Sequence, residues 1–119
     1  MEIQGSKAIM VGGASGMCLA TAEKFVEKGG RVAILDLEKS KGAEIAERLG
    51  GTFHPCNVMD HAGMEQVIGA AVEALGGVQF CVNTAGGGVA KRTIAKDGAM
   101  HPLEDFQRII DLNLIASFN

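Results

Sequence analysis

The sequence predicts an α/β fold in which a parallel sheet carries helices on both faces. Short apolar runs alternate with helical patterns along the whole chain, as expected for strand–helix–strand units. Two of the helical patterns end at glycine pairs, which suit tight turns back to a strand. A glycine-rich turn at residues 12–16 joins the first apolar run to the first helical pattern. Together these features favour a doubly wound parallel sheet.

The first four elements follow from apolar spacing and from the glycine pairs. Their expected bounds are strand Lys7–Val11, helix Gly16–Lys28, strand Arg31–Leu35 and helix Glu38–Leu49. Both strands are short aliphatic runs, and the apolar residues of the first helix recur close to helical spacing. A glycine pair follows each helix, at 29–30 and at 50–51, and marks its end.

The third strand and third helix have weaker signals. Thr52–Cys56 is the expected short third strand, and Pro55 within it indicates a sheet edge because proline cannot donate a ladder hydrogen bond. Asp60 is the expected cap of a helix that ends near Leu75.

Two further elements complete the predicted order. Val78–Val82 has the continuous apolar character of a strand buried on both faces. Pro102 opens a last helix with an apolar stripe, which contains Leu103, Phe106, Ile109, Ile110 and Leu114. Right-handed crossovers give the strand order 3-2-1-4. Strand four would then be an open edge and the stripe would lack partners, so we expect residues 1–119 to be the N-terminal part of one domain, incomplete at its C-terminus.

The composition narrows the function classes. The chain is 47% hydrophobic and 21% charged, which is typical of a globular domain. Its 11 basic and 14 acidic residues give a net charge of −3, so neither nucleic acid nor an anionic membrane is an expected partner. No signal peptide or membrane span is expected. Three cysteines without metal-ligand spacing indicate a reduced compartment, the cytoplasm or alternatively the mitochondrial matrix, and no metal.

The glycine-rich turn and a later acid predict a dinucleotide site. Gly12, Ser15, Gly16 and Met17 lie where a strand meets a helix, so their backbone can approach a pyrophosphate at the helix N-terminus. Asp36 follows Gly16 by 20 positions, at the end of the second strand, where a carboxylate accepts hydrogen bonds from ribose hydroxyls. This combination is typical of a Rossmann-type domain.

The residues at the second strand end favour NAD over NADP. The Asp36 carboxylate would repel a 2′-phosphate, and Leu37 after it supplies no cation. Two plainer interpretations stay open: the glycine loop is a structural turn without a ligand, or Asp36 caps the following helix.

Three motifs resemble the short-chain dehydrogenase/reductase family. The family signature Thr-Gly-x-x-x-Gly-x-Gly aligns with residues 11–18, and its Asn-Asn-Ala-Gly aligns with Asn83-Thr84-Ala85-Gly86. The family's mid-helix Asn corresponds to Asn113. The stretches at 12–16, 19–23 and 102–108 are most similar to the type 2 3-hydroxyacyl-CoA dehydrogenase branch, and the resemblance covers the whole chain.

The resemblance implies an activity and further site residues. It implies hydride transfer between NAD and a small-molecule substrate, a secondary alcohol such as a 3-hydroxyacyl-CoA or a hydroxysteroid, by a homotetramer or homodimer that packs through the last helix. Asn57 and Val58 would face the adenine, and Asn83, Ala85 and Gly86 the ribose. Asn113 would organise a helix bend and a water of the proton relay, which is a catalytic role.

The resemblance also implies that catalytic groups lie outside this chain. The family's Ser, its general acid/base Tyr and the Lys four residues later belong to its C-terminal half, and these 119 residues contain no tyrosine. We therefore expect the chain alone to be inactive. The alternative is a catalytically dead nucleotide-binding or dimerisation module.

Two departures from the family pattern fall in the glycine loop. Val11 replaces a Thr whose hydroxyl ties the first strand to the segment after strand four, at an expected loss of about 1 kcal/mol. Cys18 replaces the third glycine, so its thiol either packs in the core or displaces the pyrophosphate. A reactive thiol at this helix start, acting as a redox sensor, is a further alternative.

Two other segments have both a functional and a plain interpretation. His54, Cys56 and His61 are close in sequence, but no fourth ligand follows at metal-binding spacing. The loop from Gly86 to Met100 contains Lys91, Arg92 and Lys96, and it either forms part of an acyl-CoA mouth or is a mobile, solvated loop.

Overall fold

The computed structural model describes residues 2–119 and contains a four-stranded sheet. Its elements in chain order are β1 (Lys7–Val11), α1 (Gly16–Glu27), β2 (Arg31–Asp36), α2 (Gly42–Arg48), β3 (Thr52–Pro55), α3 (Met64–Leu75), β4 (Phe80–Asn83), α4 (Leu103–Ile110), a π-helical turn (Asp111–Ile115) and α5 (Ala116–Phe118). All strand pairs are parallel, in the order β3-β2-β1-β4. The predicted order 3-2-1-4 is confirmed.

Helices cover both faces of the two central strands. On one face Met10 and Ile34 belong to a buried cluster with residues of α1 and α2. On the other face Val11 and Leu35 belong to a cluster with residues of α3. Because both faces of β1 and β2 are buried, their sequences are apolar at nearly every position.

Helix α2 starts at Gly42, so the predicted start at Glu38 is wrong. The Ser40 amide donates to the Leu37 carbonyl at 2.9 Å, and the Ser40 hydroxyl accepts from the Gly42 amide at 3.1 Å. A serine side chain that bonds the backbone locally offers an alternative to helix, which delays the first turn.

Helix α3 ends at Leu75 as predicted, but Asp60 does not cap it. The helix begins at Met64, with Gly63 in the N-cap position. Asp60 Oδ1 accepts a hydrogen bond from the Gly63 amide at 3.2 Å and so closes the turn before the helix. Gly76, at φ +68°, ends the helix in the left-handed conformation that favours glycine.

The two edge strands differ in how well the sequence predicted them. Pro55 lies in β3, which is an edge strand as expected. The expectation that strand four is buried on both faces is wrong, because Cys81 and Asn83 are exposed. Within residues 2–119, β4 has β1 as its only hydrogen-bonded neighbour, so it forms the other edge of the sheet.

Helix α4 presents an uncovered apolar stripe. It has no buried residue among the described part of the chain, and Leu103 and Phe106 are 67% and 57% exposed. Ile109 and Ile110 are half-buried, so the expectation that this stripe lacks partners within residues 2–119 is confirmed only for its exposed residues Leu103, Phe106 and Leu114. Residues 2–119 contain no helix with the length and apolar character needed to cross a membrane.

Candidate functional site

The glycine-rich loop is tied to β2 at the carboxyl end of the sheet. The Gly12 and Gly13 amides both donate to the Leu35 carbonyl, at 2.8 and 3.2 Å. Gly12 has a φ of +76°, and a Cβ there would lie 2.8 Å from the Ala85 nitrogen. Both the conformation and the close approach of the segment after β4 therefore require glycine at this position.

The start of α1 faces an open cleft. Ser15 is the extended N-cap residue, and its carbonyl accepts from the Leu19 amide at 3.1 Å. The amides of the first turn have no carbonyl partner within the helix, so they attract an anion at the positive end of the helix dipole. Met17 in this turn is 78% exposed.

The Asp36 carboxylate is held at the same cleft by two backbone bonds. Oδ2 accepts from the Ala14 amide at 2.9 Å, and Oδ1 accepts from the Leu37 amide at 2.7 Å. These bonds orient the carboxylate between the glycine loop and the end of β2. Because α2 begins only at Gly42, Asp36 does not cap that helix, and this alternative is wrong.

A cleft of about 520 Å³ brings the predicted cofactor residues together. Every residue predicted to bind the cofactor lines it except Asn83; those lining it are Gly12, Ser15, Gly16, Met17, Asp36, Leu37, Asn57, Val58, Ala85 and Gly86. A second cavity of about 750 Å³, lined by residues of α3, adjoins the cleft and shares Leu37, Cys56 and Asn57 with it.

The cleft also contains residues that the sequence analysis missed. Leu35, Cys56 and Thr84 line it beside predicted residues at the ends of β2, β3 and β4. Their position immediately at strand ends was the available signal, since ligands bind at the carboxyl ends of parallel strands. Leu112 reaches the cleft from the π-helical turn, at the helix bend that the resemblance implied around Asn113.

Asn57 lies at the cleft with its amide oxygen already in use. Asn57 Oδ1 accepts a hydrogen bond from the Met59 amide at 3.0 Å, which closes the turn after β3. An amide oxygen has two lone pairs, so one acceptor position is left for a ligand.

Asn83 shapes the turn after β4 instead of lining the cleft. Its Oδ1 accepts from the Ala85 amide at 3.0 Å, and its Nδ2 donates to the Ser117 hydroxyl at 3.3 Å. Asn83 is not among the residues that line the cleft, so its predicted direct contact with a ribose stays a prediction.

Asn113 connects the π-helical turn to the loop after β4. Its Nδ2 donates to the Ile109 and Gly87 carbonyls, both at 2.8 Å, and its Oδ1 accepts from the Gly87 amide at 3.1 Å. A π-helical turn widens a helix locally and is often found at functional sites. The catalytic role of Asn113 stays a prediction.

The Cys18 side chain packs in the core. It is fully buried in the cluster between α1, α2 and the sheet, and its Sγ lies 3.8 Å from the Val82 carbonyl oxygen. Burial raises the pKa of the Cys18 thiol, while a hydrogen bond from Thr84 acts in the opposite direction. The thiol does not line the cleft, so the packing interpretation is confirmed over the displaced pyrophosphate.

The three cysteines are expected to react at different rates. Because the thiolate is the nucleophile and burial raises the pKa of Cys18 and of Cys56, we expect a mild alkylating reagent at neutral pH to modify exposed Cys81 first. Cys18 should react slowest, by about tenfold or more relative to Cys81. Peptide mass spectrometry over a time course measures the order, with the denatured chain as control. Fastest modification at Cys18 would instead support the redox-sensor alternative.

The histidine and cysteine residues around β3 form no recognisable metal site. His54 Nε2 lies 3.0 Å from the Thr52 hydroxyl, and partial burial lowers the pKa of this histidine. Within residues 2–119, no group of three or more His, Cys, Asp or Glu side chains is arranged to hold a metal ion.

The cationic loop after β4 contains a short hairpin. Ile94 and Met100 form an antiparallel bridge, and the Ala95 amide donates to the Ala99 carbonyl at 2.8 Å. Lys91 forms an ion pair with Asp105 of α4. A cavity of about 460 Å³ beside the hairpin is lined by Lys91, Arg92 and Lys96 among others. The hairpin therefore has defined hydrogen bonds, and a role in acyl-CoA binding stays a prediction.

Known proteins share both this sequence pattern and this fold. The chain is 41% identical to 3-hydroxyacyl-CoA dehydrogenase type-2 of Homo sapiens over 99% of its own length and 46% of that protein. The structure of 3-hydroxyacyl-CoA dehydrogenase type-2 from Mycobacterium avium matches with a TM-score of 0.83 and 34% identity, over 96% of this chain and 45% of that one. NADPH-dependent 3-quinuclidinone reductase from Rhodotorula rubra matches with a TM-score of 0.81 and 31% identity, over 98% and 45%.

The chain thus spans about half the length of these relatives. Residues 6–119 match the sequence pattern of the family described as short chain dehydrogenase. This range of the chain contains the glycine loop, Asp36 and Asn113. This match and the two structural similarities confirm the resemblance predicted from the motifs. The chain belongs to the short chain dehydrogenase family.

Proposed function

We propose that this chain is the cofactor-binding part of an NAD-dependent oxidoreductase of the short-chain dehydrogenase type. The reaction is hydride transfer between NAD and a secondary alcohol, such as a 3-hydroxyacyl-CoA or a hydroxysteroid. The observation that carries the proposal is the 520 Å³ cleft, where the glycine loop, the start of α1 and the Asp36 carboxylate surround one space. Each of the three suits a different part of a dinucleotide.

The pyrophosphate is proposed to lie against the glycine loop. Gly12 allows close approach, and the amides at the start of α1 supply hydrogen-bond donors and a positive dipole end. Met17 extends this surface toward the nicotinamide side, with Ala85 and Gly86 opposite it along the ribose. Asn57 and Val58 would contact the adenine, which has an apolar surface beside it in the adjoining cavity.

The adenosine ribose is proposed to bind Asp36. The carboxylate oxygens each have one backbone donor, and their remaining lone pairs accept from the ribose hydroxyls. A 2′-phosphate would meet this negative charge, and Leu37 offers no cation to offset it. NAD is therefore favoured, although one structural relative is named as NADPH-dependent.

The remaining steps of the reaction need groups beyond those described. Hydride transfer requires an acid or base at the alcohol oxygen, and these 119 residues contain no tyrosine to supply the family's phenol. We propose that the chain alone binds the cofactor without turnover, and that Asn113 holds a water of the proton relay in the whole enzyme. Assembly through the exposed stripe of α4 into a dimer or tetramer, in the cytoplasm or the mitochondrial matrix, is part of the same proposal.

The second candidate is a catalytically dead nucleotide-binding or dimerisation module. The exposed apolar residues of α4, together with the departures Val11 and Cys18, favour it. This candidate tolerates loss of NAD affinity, whereas the enzyme proposal does not.

Titration of the 119-residue chain with NAD and with NADP tests the proposal. We expect one NAD per chain in isothermal titration calorimetry, and NADP binding at least about tenfold weaker because of charge repulsion at Asp36. NAD at about 100 times its Kd should also raise the free energy of unfolding by about 2.7 kcal/mol. Failure of both dinucleotides to bind would favour the module.

The intact mass of the protein isolated from its own cell separates the two candidates further. A mass of about twice 12.4 kDa would agree with an enzyme whose other half supplies Ser, Tyr and Lys. A mass near 12.4 kDa would favour the module.

A further inference from the structure

One wall of the cleft is formed by Thr84, Ala85 and Gly86, which follow β4, and it lies against the glycine loop. The last hydrogen bond between β4 and β1 runs from the Thr84 amide to the Val11 carbonyl, at 3.0 Å. The next residue, Ala85, lies so close to Gly12 that a Cβ on Gly12 would be 2.8 Å from its nitrogen. The wall therefore lies close to the glycine loop, and position 12 has no room for a side chain between them.

Cys18 of α1 contacts the strand from which this wall emerges. Its Sγ is within 3.8 Å of the Val82 carbonyl oxygen, and the side chain is 0% exposed between the first turn of α1 and the sheet. Val82 packs against the same buried cluster. Burial raises the pKa of the Cys18 thiol, and the Thr84 side chain partly offsets this increase.

We propose that Cys18 is a positioning residue of the cofactor cleft, which holds the wall formed by Thr84, Ala85 and Gly86 at its distance from the glycine loop. Thr84 is the link, because it follows Val82 by two residues, its amide donates to the Val11 carbonyl and it lines the cleft. The relation of this wall to a cofactor rests on the proposed NAD binding.

Edge strands need such support more than central strands do. β4 has a hydrogen-bonded neighbour on one side only, so the position of its end depends on packing beneath it. Protein interiors transmit small volume changes to their neighbours because they are close-packed. A missing sulfur atom at position 18 would leave space into which Thr84 and Val82 relax, and the wall would shift with them.

The position of Cys18 also explains its tolerance in this loop. Val11 has no hydroxyl to bond the segment after β4, whereas the thiol of Cys18 in α1 lies 3.8 Å from the carbonyl oxygen of Val82, within β4. Cys18 thus connects α1 with the end of β4 through the contact of its thiol with Val82.

Four variants of the full 119-residue chain test the inference. They are Cys18→Ala, Cys18→Ser, Thr84→Val and the double variant Cys18→Ala with Thr84→Val. The matched control is Ile45→Val, which trims the same buried cluster from α2 and does not line the cleft. Two quantities are measured: the Kd for NAD, and the amide NMR shifts of Ala85 and Gly86 without cofactor.

Cys18→Ala and Thr84→Val are each expected to raise the Kd for NAD about fivefold, or about 1 kcal/mol, the size of one hydrogen bond. The double variant should lose less affinity than the sum of the two single losses, because both changes act on the same wall. Cys18→Ser should bind within about twofold of the parent, since a hydroxyl can make the same contacts. The Ala85 and Gly86 amides should shift in Cys18→Ala and stay in place in Ile45→Val.

Three results would overturn the inference: unchanged Ala85 and Gly86 shifts in Cys18→Ala, an affinity loss in Ile45→Val equal to that in Cys18→Ala, or additive effects in the double variant. The NMR shifts are recorded without NAD. If neither the parent chain nor any variant binds NAD, the proposed function fails. The amide NMR shifts of Ala85 and Gly86 then still decide whether Cys18 positions the wall.

Discussion

Replacement of Gly12 by alanine is expected to lower the free energy of unfolding by about 3 kcal/mol and to abolish NAD binding. The left-handed φ of +76° is unfavourable for a residue with a side chain. In addition, the new Cβ would lie 2.8 Å from the Ala85 nitrogen and 3.1 Å from its Cα, so the backbone of the cleft wall has to shift. The same shift would misplace the proposed pyrophosphate site.

Gly50→Ala is the matched control for this prediction. Gly50 also has a positive φ, +64°, but no atom lies within 4 Å of a Cβ there. Its replacement should cost only about 1–2 kcal/mol, the conformational part of the effect. Urea denaturation of both variants measures the difference. Equal losses of stability would show that the contact with Ala85 does not restrict position 12.

Replacement of Asp36 by alanine is expected to weaken NAD binding about 30-fold, or about 2 kcal/mol, because hydrogen bonds to a charged group are lost. The carboxylate is oriented by the Ala14 and Leu37 amides, so its free lone pairs are already in position for the ribose hydroxyls. NADP binding should not weaken in parallel, since the repulsion of the 2′-phosphate disappears with the charge. The preference for NAD should therefore collapse.

Asp36→Asn separates the charge from the hydrogen bonds. The asparagine amide keeps one acceptor oxygen, so its affinity for NAD should lie between those of the parent and the alanine variant. The loss of preference for NAD over NADP should have the same sign as in the alanine variant, because the negative charge is removed in both. Asp97→Asn controls for the change in net charge, because Asp97 accepts from the Ala99 amide in the hairpin, outside the cleft. Titration calorimetry measures all three. Unchanged discrimination between the two dinucleotides in both Asp36 variants would refute the assigned role.

The fold was predictable where local patterns agree with the environment. β1 and β2 are buried on both faces, so their apolar runs marked them, and β1 was predicted with its observed bounds. The glycine positions located the loop at 12–16, since left-handed conformations there leave a sequence signal. Most of the other predicted cofactor residues directly follow strand ends, and all but one of the predicted set line one cleft.

The failures fall where a nearby interaction competes with the pattern. Ser40 bonds the backbone locally and delays α2 to Gly42, and Asp60 closes a turn before α3 instead of capping it. The apolar run at Val78–Val82 suggested burial on both faces, but a strand's burial depends on what packs beside it. Propensity has no access to such neighbours.

The sequence by itself determined the succession of strands and helices and the chemical groups at the strand ends, because periodicity, glycine positions and residue types are local properties of the chain. Only the tertiary structure decided where several of those groups face. Asn83 bonds Ser117 and Ala85, Leu112 enters the cleft from a π-helical turn, and Cys18 turns into the core. Each direction depends on which distant residues fill the space around the side chain, and close packing allows one arrangement among them.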